Sequence, residues 1–464
     1  MRNPSDRDRL PLVPIVAILL AVLVLTAPNV RADVVRLLDG DSASFQARLD
    51  LVRAARSSIN AAYFALIDDS LTRRFLAALA NAARRGVQVR LLVDGCHDGL
   101  SPALKSRLND SGVEVRFHNP PRWYKPHRTF YRMHEKILVV DGEGLVVGGR
   151  NIGEPYFGMS REMNFSDRDV LIVGPAGRHA DMYFRKLWES KQAVPSAARQ
   201  HAFGRMCSIL EPSNLRRITH SATKRSSLAG FLESHRRRAG RQRRSACATS
   251  ACGCCPCDSE PFDVPACAVR FVHSDRSCSG ACRDITEQLL SLIASARRHV
   301  VIETPYLVLS KKFEERLGAA SARGIEIHIL TNSLGSTNKV IAHSGYECQK
   351  KRLLQLGINL WEYQGAECMH AKCWVVDDRA VIGSYNLDPR SDFYDTQAAI
   401  IVCDRALASS LLASMVHRHQ SRSVLIAPGG TVVDPNGVRN DPPALRSAWM
   451  HLLKLSVPLT KRHL

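Results

Sequence analysis

The sequence predicts an α/β protein of two homologous lobes, each a mixed β-sheet flanked by helices, packed about a pseudo-two-fold axis. Three observations carry that expectation. The nine residues MHEKILVVD (133–141) return as MHAKCWVVD (369–377). The segments upstream repeat as well: ARSSINAAYFAL (55–66) resembles ARRHVVIETPYLVL (296–309), and RRGVQVRLLVD (84–94) resembles ARGIEIHILTN (322–332). In both halves apolar runs of strand length alternate with Ala- and Leu-rich windows of helical period, as in a sheet covered on both faces.

Taken in order, residues 1–32 combine an Arg-containing head, an apolar run from Ile15 to Leu25 and a Val30-x-Ala32 small-residue site. That is the grammar of a signal peptide. The 18 mostly apolar residues from Leu10 to Ala27 nearly reach spanning length, so an N-terminal membrane anchor is the alternative. Both place the protein outside the cytoplasm or facing outward. Residues 33–205 form the first lobe and 267–464 the second. Between them, 206–266 is a basic and Cys-rich linker or insertion. Residues 215–244 hold ten Lys/Arg against Glu233, about half of the +20 formal charge. A solvated connection accounts for this run, and attachment to an anionic membrane surface is the functional reading. Eight of the 14 cysteines fall between Cys247 and Cys282 in a spacing that matches no standard zinc pattern of paired C-x2-C knuckles, so a disulfide cluster or low-complexity insertion is expected there rather than a zinc site. Near the C-terminus LRSAWMHLLKLSVPL predicts an interfacial or packed helix followed by a strand.

Within each repeated nonapeptide the pleat puts His134 and Lys136, and likewise His370 and Lys372, on one face at the mouth of an apolar strand. Asp141 and Asp377 have the opposite parity and sit at the far end, where Asp141-Gly142 and Asp377-Asp378 turn into the second runs Leu145–Val147 and Ala380–Ile382. Both hairpins close on a small-residue turn with an amide, Gly148-Gly149-Arg150-Asn151 and Gly383-Ser384-Tyr385-Asn386. One such set is explained by a packed His and a solvated Lys. Two sets with identical spacing point to a duplicated site.

These residues resemble the phospholipase D superfamily, whose signature is two H-x-K-x4-D motifs. GGRNIGEPYF (148–157), SDRDVLIVGP (166–175), LTNSLGSTNKVIAHSGY (330–346) and GSYNLDPRS (383–391) are most similar to bacterial cardiolipin synthases. The resemblance implies a phosphatidyltransferase working through a phosphohistidine, with His134 as nucleophile and His370 as acid and then base; the sequence alone leaves the reverse assignment open. Lys136, Lys372, Asn151 and Asn386 would stabilise charge on the phosphate oxygens, with no metal or cofactor required. A histidine in either role benefits from a carboxylate on its second nitrogen. The family pattern after the second hairpin is Asn/Asp-x-Glu, but this chain reads Asp395-Thr396-Gln397. Gln397, or Asp395 in its place, is therefore expected to support His370, Asp167, Asp169 or Glu162 to support His134, and Ser384 is a further supporting residue.

With 464 residues and 45% hydrophobic content the chain is long enough for two ordinary cores and is no disulfide-held scaffold. Phospholipid, phosphatidylglycerol above all, is the expected substrate. Three alternatives remain on sequence grounds: a phospholipase D releasing phosphatidic acid, a phosphodiester nuclease, which the export signal and tandem lobes disfavour, and a weakly active or inactive lipid-binding homologue, which Gln397 motivates.

Overall fold

The structure is a computed structural model describing residues 33–121, 129–196, 268–274, 284–434, 436–439, 442, 444–454 and 457. The expected leader, linker and cysteine cluster lie outside the described residues. So does nearly all of the chain after 454, where a strand was expected.

The first lobe runs β1 (Val34–Leu38), α1 (Asp41–Ala54), β2 (Ser58–Tyr63), α2 (Ser70–Arg84), β3 (Gln88–Asp94), α3 (Pro102–Asp110), β4 (Val113–His118), β5 (Lys136–Val140), β6 (Gly144–Gly148), β7 (Phe165–Ser166), β8 (Asp169–Val173), α4 (Pro175–Glu189) and β9 (Ala193–Pro195). The second runs β10 (Ala268–His273), α5 (Ile285–Ala294), β11 (His299–Glu303), α6 (Lys311–Ala322), β12 (Glu326–Asn332), α7 (Val340–Gln355), β13 (Asn359–Tyr363), β14 (Cys368–Met369), β15 (Cys373–Val376), β16 (Arg379–Gly383), α8 (Pro389–Phe393), β17 (Ala398–Cys403), α9 (Arg405–Arg418), β18 (Ser423–Ile426), β19 (Val432–Val433) and α10 (Ala444–Lys454).

Local chemistry sets these elements. Helix α2 starts where the Asp69 side chain accepts from Thr72 N, buries Leu71, Phe75 and Leu79, and stops at Arg85-Gly86, with Gly86 at φ +88°. The same Arg-Gly stop ends α6, with Gly324 at φ +81°. Each stop turns the chain into the second parallel strand of its lobe.

Strand order is β1-β8-β6-β5-β2-β3-β4-β9 in one sheet and β10-β17-β16-β15-β11-β12-β13-β18-β19 in the other. The first eight positions correspond one to one. The runs β2-β3-β4 and β11-β12-β13 are parallel and the flanking pairs antiparallel, so each sheet is mixed. Side-chain alternation sorts three cores. On β5, Leu138 and Val140 face the helices of their own lobe, while Ile137 and Val139 share a central core with Cys373 and Val375 of β15. Trp374 and Val376 face the helices of the second lobe. The motif strands therefore lie at the middle of both sheets, against the seam between lobes. No helix among the described residues is long and apolar enough to cross a membrane. Helix α10 packs on α7 and leaves Trp449 and Leu452 exposed.

Candidate active site

Each motif strand is fixed at its mouth by the opposite lobe. His134 N donates to Thr396 O (3.1 Å), and Thr396 N returns a bond to Arg132 O (2.9 Å). His370 N donates to Ser166 O (2.8 Å), and β14, just before it, pairs in parallel with β7. The residue preceding each histidine is held a second time by the last residue of a parallel strand. Met133 N donates to Asp94 Oδ2 (3.0 Å); Met369 N donates to Asn332 Oδ1 (3.0 Å). These two clamps were not anticipated, although their signal is present: they are the final letters of the aligned segments RLLVD and HILTN.

Strand exchange across the seam gives each imidazole a partner from the other lobe. His134 Nδ1 lies 3.0 Å from Gln397 Oε1 and 3.2 Å from the Ser384 carbonyl. Both neighbours are acceptors, so Nδ1 carries the ring proton and Nε2 keeps its lone pair. The Gln397 amide is itself fixed, taking a bond from Ser384 Oγ (2.6 Å) and giving one to Ser391 Oγ (3.0 Å). His370 Nδ1 lies 2.6 Å from Asp167 Oδ2. The expectation that each histidine draws its support from its own half is thus corrected. Gln397 and Ser384 serve His134, and Asp167 serves His370, because the strand following each hairpin edge runs past the other lobe's motif. Gly149 makes room for this: a Cβ there would overlap the Asp167 carboxylate.

The two lysines are buried in the same place. Lys136 Nζ bonds the His134 carbonyl, and Lys372 Nζ bonds the His370 carbonyl. Burial, with Lys372 nearby, holds Lys136 well below the usual ammonium range. Burial pulls Lys372 down to about 8 against the attraction of Asp167. Burial and the two lysines likewise hold both imidazoles well below their ordinary value, and His134 also feels His370. Burial pushes the Asp167 carboxyl up against the pull of Lys372 and Arg150. A phosphodiester anion between the lysines would relieve their mutual repulsion, the arrangement expected of preorganised charge stabilisation.

The other expected residues divide cleanly. Asn151 Oδ1 accepts from Ala65 N (3.0 Å), just beyond β2 and beside the His134 mouth. Asn386 is buried, and its Oδ1 has no hydrogen-bond partner among the described residues. Asp141 and Asp377 stand at the far ends of β5 and β15. Asp141 accepts from the backbone N–H groups of Arg56, Ser57 and Ser58, and Asp377 from those of Arg297, Arg298 and His299. Both adopt positive φ, +52° and +53°, so they tie hairpin turns to the starts of β2 and β11. Asp169 is corrected to a framework role: it is buried between Arg48 and Arg150 and accepts from Ser44 Oγ. Asp395 pairs with Arg390 (2.9 Å), with burial pushing its carboxyl up to about 7, while the side-chain partners at the histidine Nδ1 atoms are Gln397 and Asp167. Glu162 is exposed on a loop.

Sequence reasoning also missed a buried seam network. Arg168 pairs with Glu303, which lies 2.6 Å from His419 Nδ1, and His419 Nε2 meets Ser166 Oγ at 2.8 Å. Ser166 is the residue whose carbonyl holds His370 N.

Two like lobes closing one His/Lys cleft define the class, a two-motif phospholipase D-type fold. The family model described as cardiolipin synthase, PLD-like domain, matches residues 49–188 and 289–418, more than half of the chain. The chain belongs to that family, whose members are phospholipase D-type phosphatidyltransferases. It is 29% identical to cardiolipin synthase C of Escherichia coli (strain K12) over 405 residues, covering 79% of this chain and 80% of that protein. It is 27% identical to cardiolipin synthase A of Pseudomonas entomophila (strain L48) over 381 residues, covering 81% of this chain and 66% of that protein. In fold it is similar to phosphatidylserine synthase of Haemophilus influenzae Rd KW20, with a TM-score of 0.62 and 12% identity, covering 93% of this chain and 95% of that one.

Proposed function

We propose that this chain forms cardiolipin by moving a phosphatidyl group onto a hydroxyl of phosphatidylglycerol, working at the outward-facing side of a membrane to which its leader delivers it and its basic linker holds it. The lobes are taken as 33–205 and 267–464. The observation that carries the reading is the pair of buried lysines from opposite lobes, each depressed in pKa and each beside a histidine whose Nε2 has no partner among the described residues.

In the first displacement His134 Nε2 attacks phosphorus while protonated His370 gives its Nε2 proton to the departing alcohol. The P–N bond forms and the P–O bond breaks, leaving phosphohistidine. In the second, neutral His370 takes the proton of the incoming hydroxyl, whose oxygen attacks phosphorus and releases His134. Lys136, Lys372, Asn151 and Asn386 hold the non-bridging oxygens throughout. Asp167 favours the cationic form of His370 that the acid role requires. Incubating the purified protein with vesicles of labelled phosphatidylglycerol should give cardiolipin. Phosphatidic acid as the sole product would replace this reading by hydrolysis.

A further inference from the structure

A third histidine stands at the rim of the cleft. His97 lies three residues beyond β3, with 42% of its side chain exposed, and its Nδ1 is 3.1 Å from Asp94 Oδ1. Asp94 is fully buried and also accepts from Cys96 N (2.9 Å), Met133 N (3.0 Å) and Arg132 Nη1 (3.3 Å). Despite the opposing effect of burial, the His97 hydrogen bond, the Arg132 guanidinium and the Cys96 N–H hold its carboxyl below the usual range. A charged acceptor at Nδ1 fixes a ring proton there, so the neutral form of His97 is the Nδ1–H tautomer, with its Nε2 lone pair facing outward, where it has no partner among the described residues. The ring packs on Phe64 at 4.0 Å between centroids, and Phe64 meets His134 at 4.7 Å with Lys136 Nζ 5.0 Å from its centroid. His97 is therefore one ring away from the proposed nucleophile.

The second lobe is built differently at the matching place. Tyr306, beyond β11, stands 6.5 Å from His370, and the group packed on it from the loop after β12 is the Lys339 ammonium, 5.1 Å from the ring centroid. One rim of a pseudo-symmetric cleft thus offers a cation, suited to a phosphate oxygen. The other offers a lone pair, which repels phosphate oxygen and accepts from a hydroxyl.

We infer that the Asp94–His97 pair is an acceptor subsite in which His97 Nε2 takes a hydrogen bond from a second hydroxyl of the incoming polyol headgroup, next to the hydroxyl that attacks phosphorus. This rests on the phosphatidyl-transfer reading. The test supplies the full-length enzyme and phosphatidylglycerol vesicles with labelled glycerol or labelled 1-propanol, which lacks a further hydroxyl, and compares kcat/KM for the two. His97→Ala should reduce the preference for glycerol over 1-propanol by about threefold to tenfold, the worth of one neutral hydrogen bond. His97→Gln, whose amide oxygen can occupy the Nε2 position, should restore part of it. An unchanged preference, or equal losses with both alcohols, would overturn the subsite while leaving transfer intact. A wild-type enzyme that labels lipid with neither alcohol would instead sink the transfer reading, and the subsite with it.

Discussion

His370 Nδ1 lies 2.6 Å from Oδ2 of Asp167, a carboxylate of the opposite lobe. That contact crosses the seam that the sheets share, so the acid proposed for leaving-group departure is oriented by a residue 203 positions away. Replacing it by Asn keeps the volume and removes the charge. We expect Asp167→Asn to lower turnover roughly a hundredfold to ten-thousandfold. The sign on pH follows from the same contact. A carboxylate at Nδ1 favours imidazolium, so its loss lowers the His370 pKa further and moves the alkaline limb of kcat/KM to lower pH. A pH-rate profile that falls in height without moving would assign Asp167 to packing alone. Gly149→Ala should cause a similar loss by displacing that carboxylate.

Gln397 bears on the other histidine. Because its Oε1 meets His134, Gln397→Glu should raise the His134 pKa, make its Nε2 more nucleophilic and support the positive charge of phosphohistidine. We expect turnover to rise about tenfold on the plateau, while the acid limb moves to higher pH. Asp395→Asn should leave both limbs in place, since that carboxylate pairs with Arg390. A shift confined to the alkaline limb in the Glu variant would mean that the amide addresses His370 instead.

The roles of the two histidines separate in a quench experiment. His134→Asn and His370→Asn should each cut turnover at least roughly a thousandfold. With phosphate-labelled donor, His370→Asn should retain acid-labile label on the protein, because resolving the intermediate needs His370 as base, and His134→Asn should retain none. The reversed labelling pattern would exchange nucleophile and acid.

Asp141 predicts a stability effect with no change in chemistry. Its carboxylate takes three backbone N–H bonds, so Asp141→Ala should cost about 1–3 kcal/mol in urea unfolding, while the folded variant keeps wild-type turnover. Partial burial would raise its pKa, but the bonds from Ser58, Ser57 and Arg56 lower it below 3.8. A lowered folded-state pKa stabilises the protein above the unfolded value and ceases to do so as pH falls through the folded one. The gap between wild type and Asp141→Ala should therefore be constant near neutrality and narrow below about pH 3.8. An inactive but stable Asp141→Ala protein would contradict the placement of this residue at the far end of β5.

Short-range pattern determined much of this protein. Side-chain parity alone separates His134 and Lys136 from Asp141, because alternation along a strand is a property of the backbone. Repetition of H-x-K-x4-D, with the Arg-Gly stops of α2 and α6, likewise announces two like lobes and a paired site. Partnership across the seam was decided by tertiary structure. Asp167 and Gln397 follow their own hairpins in sequence, yet β7 pairs with β14 and Thr396 pairs with Met133, which carries each polar side chain to the opposite histidine. The Arg168–Glu303–His419 network shares that origin, while the Asp94 and Asn332 clamps were decided by tertiary structure within each lobe. The clamps join residues 39 and 37 positions apart through the folding of a single lobe, whereas the closing of one sheet against the other brings Arg168 to Glu303 and Ser166 to His419.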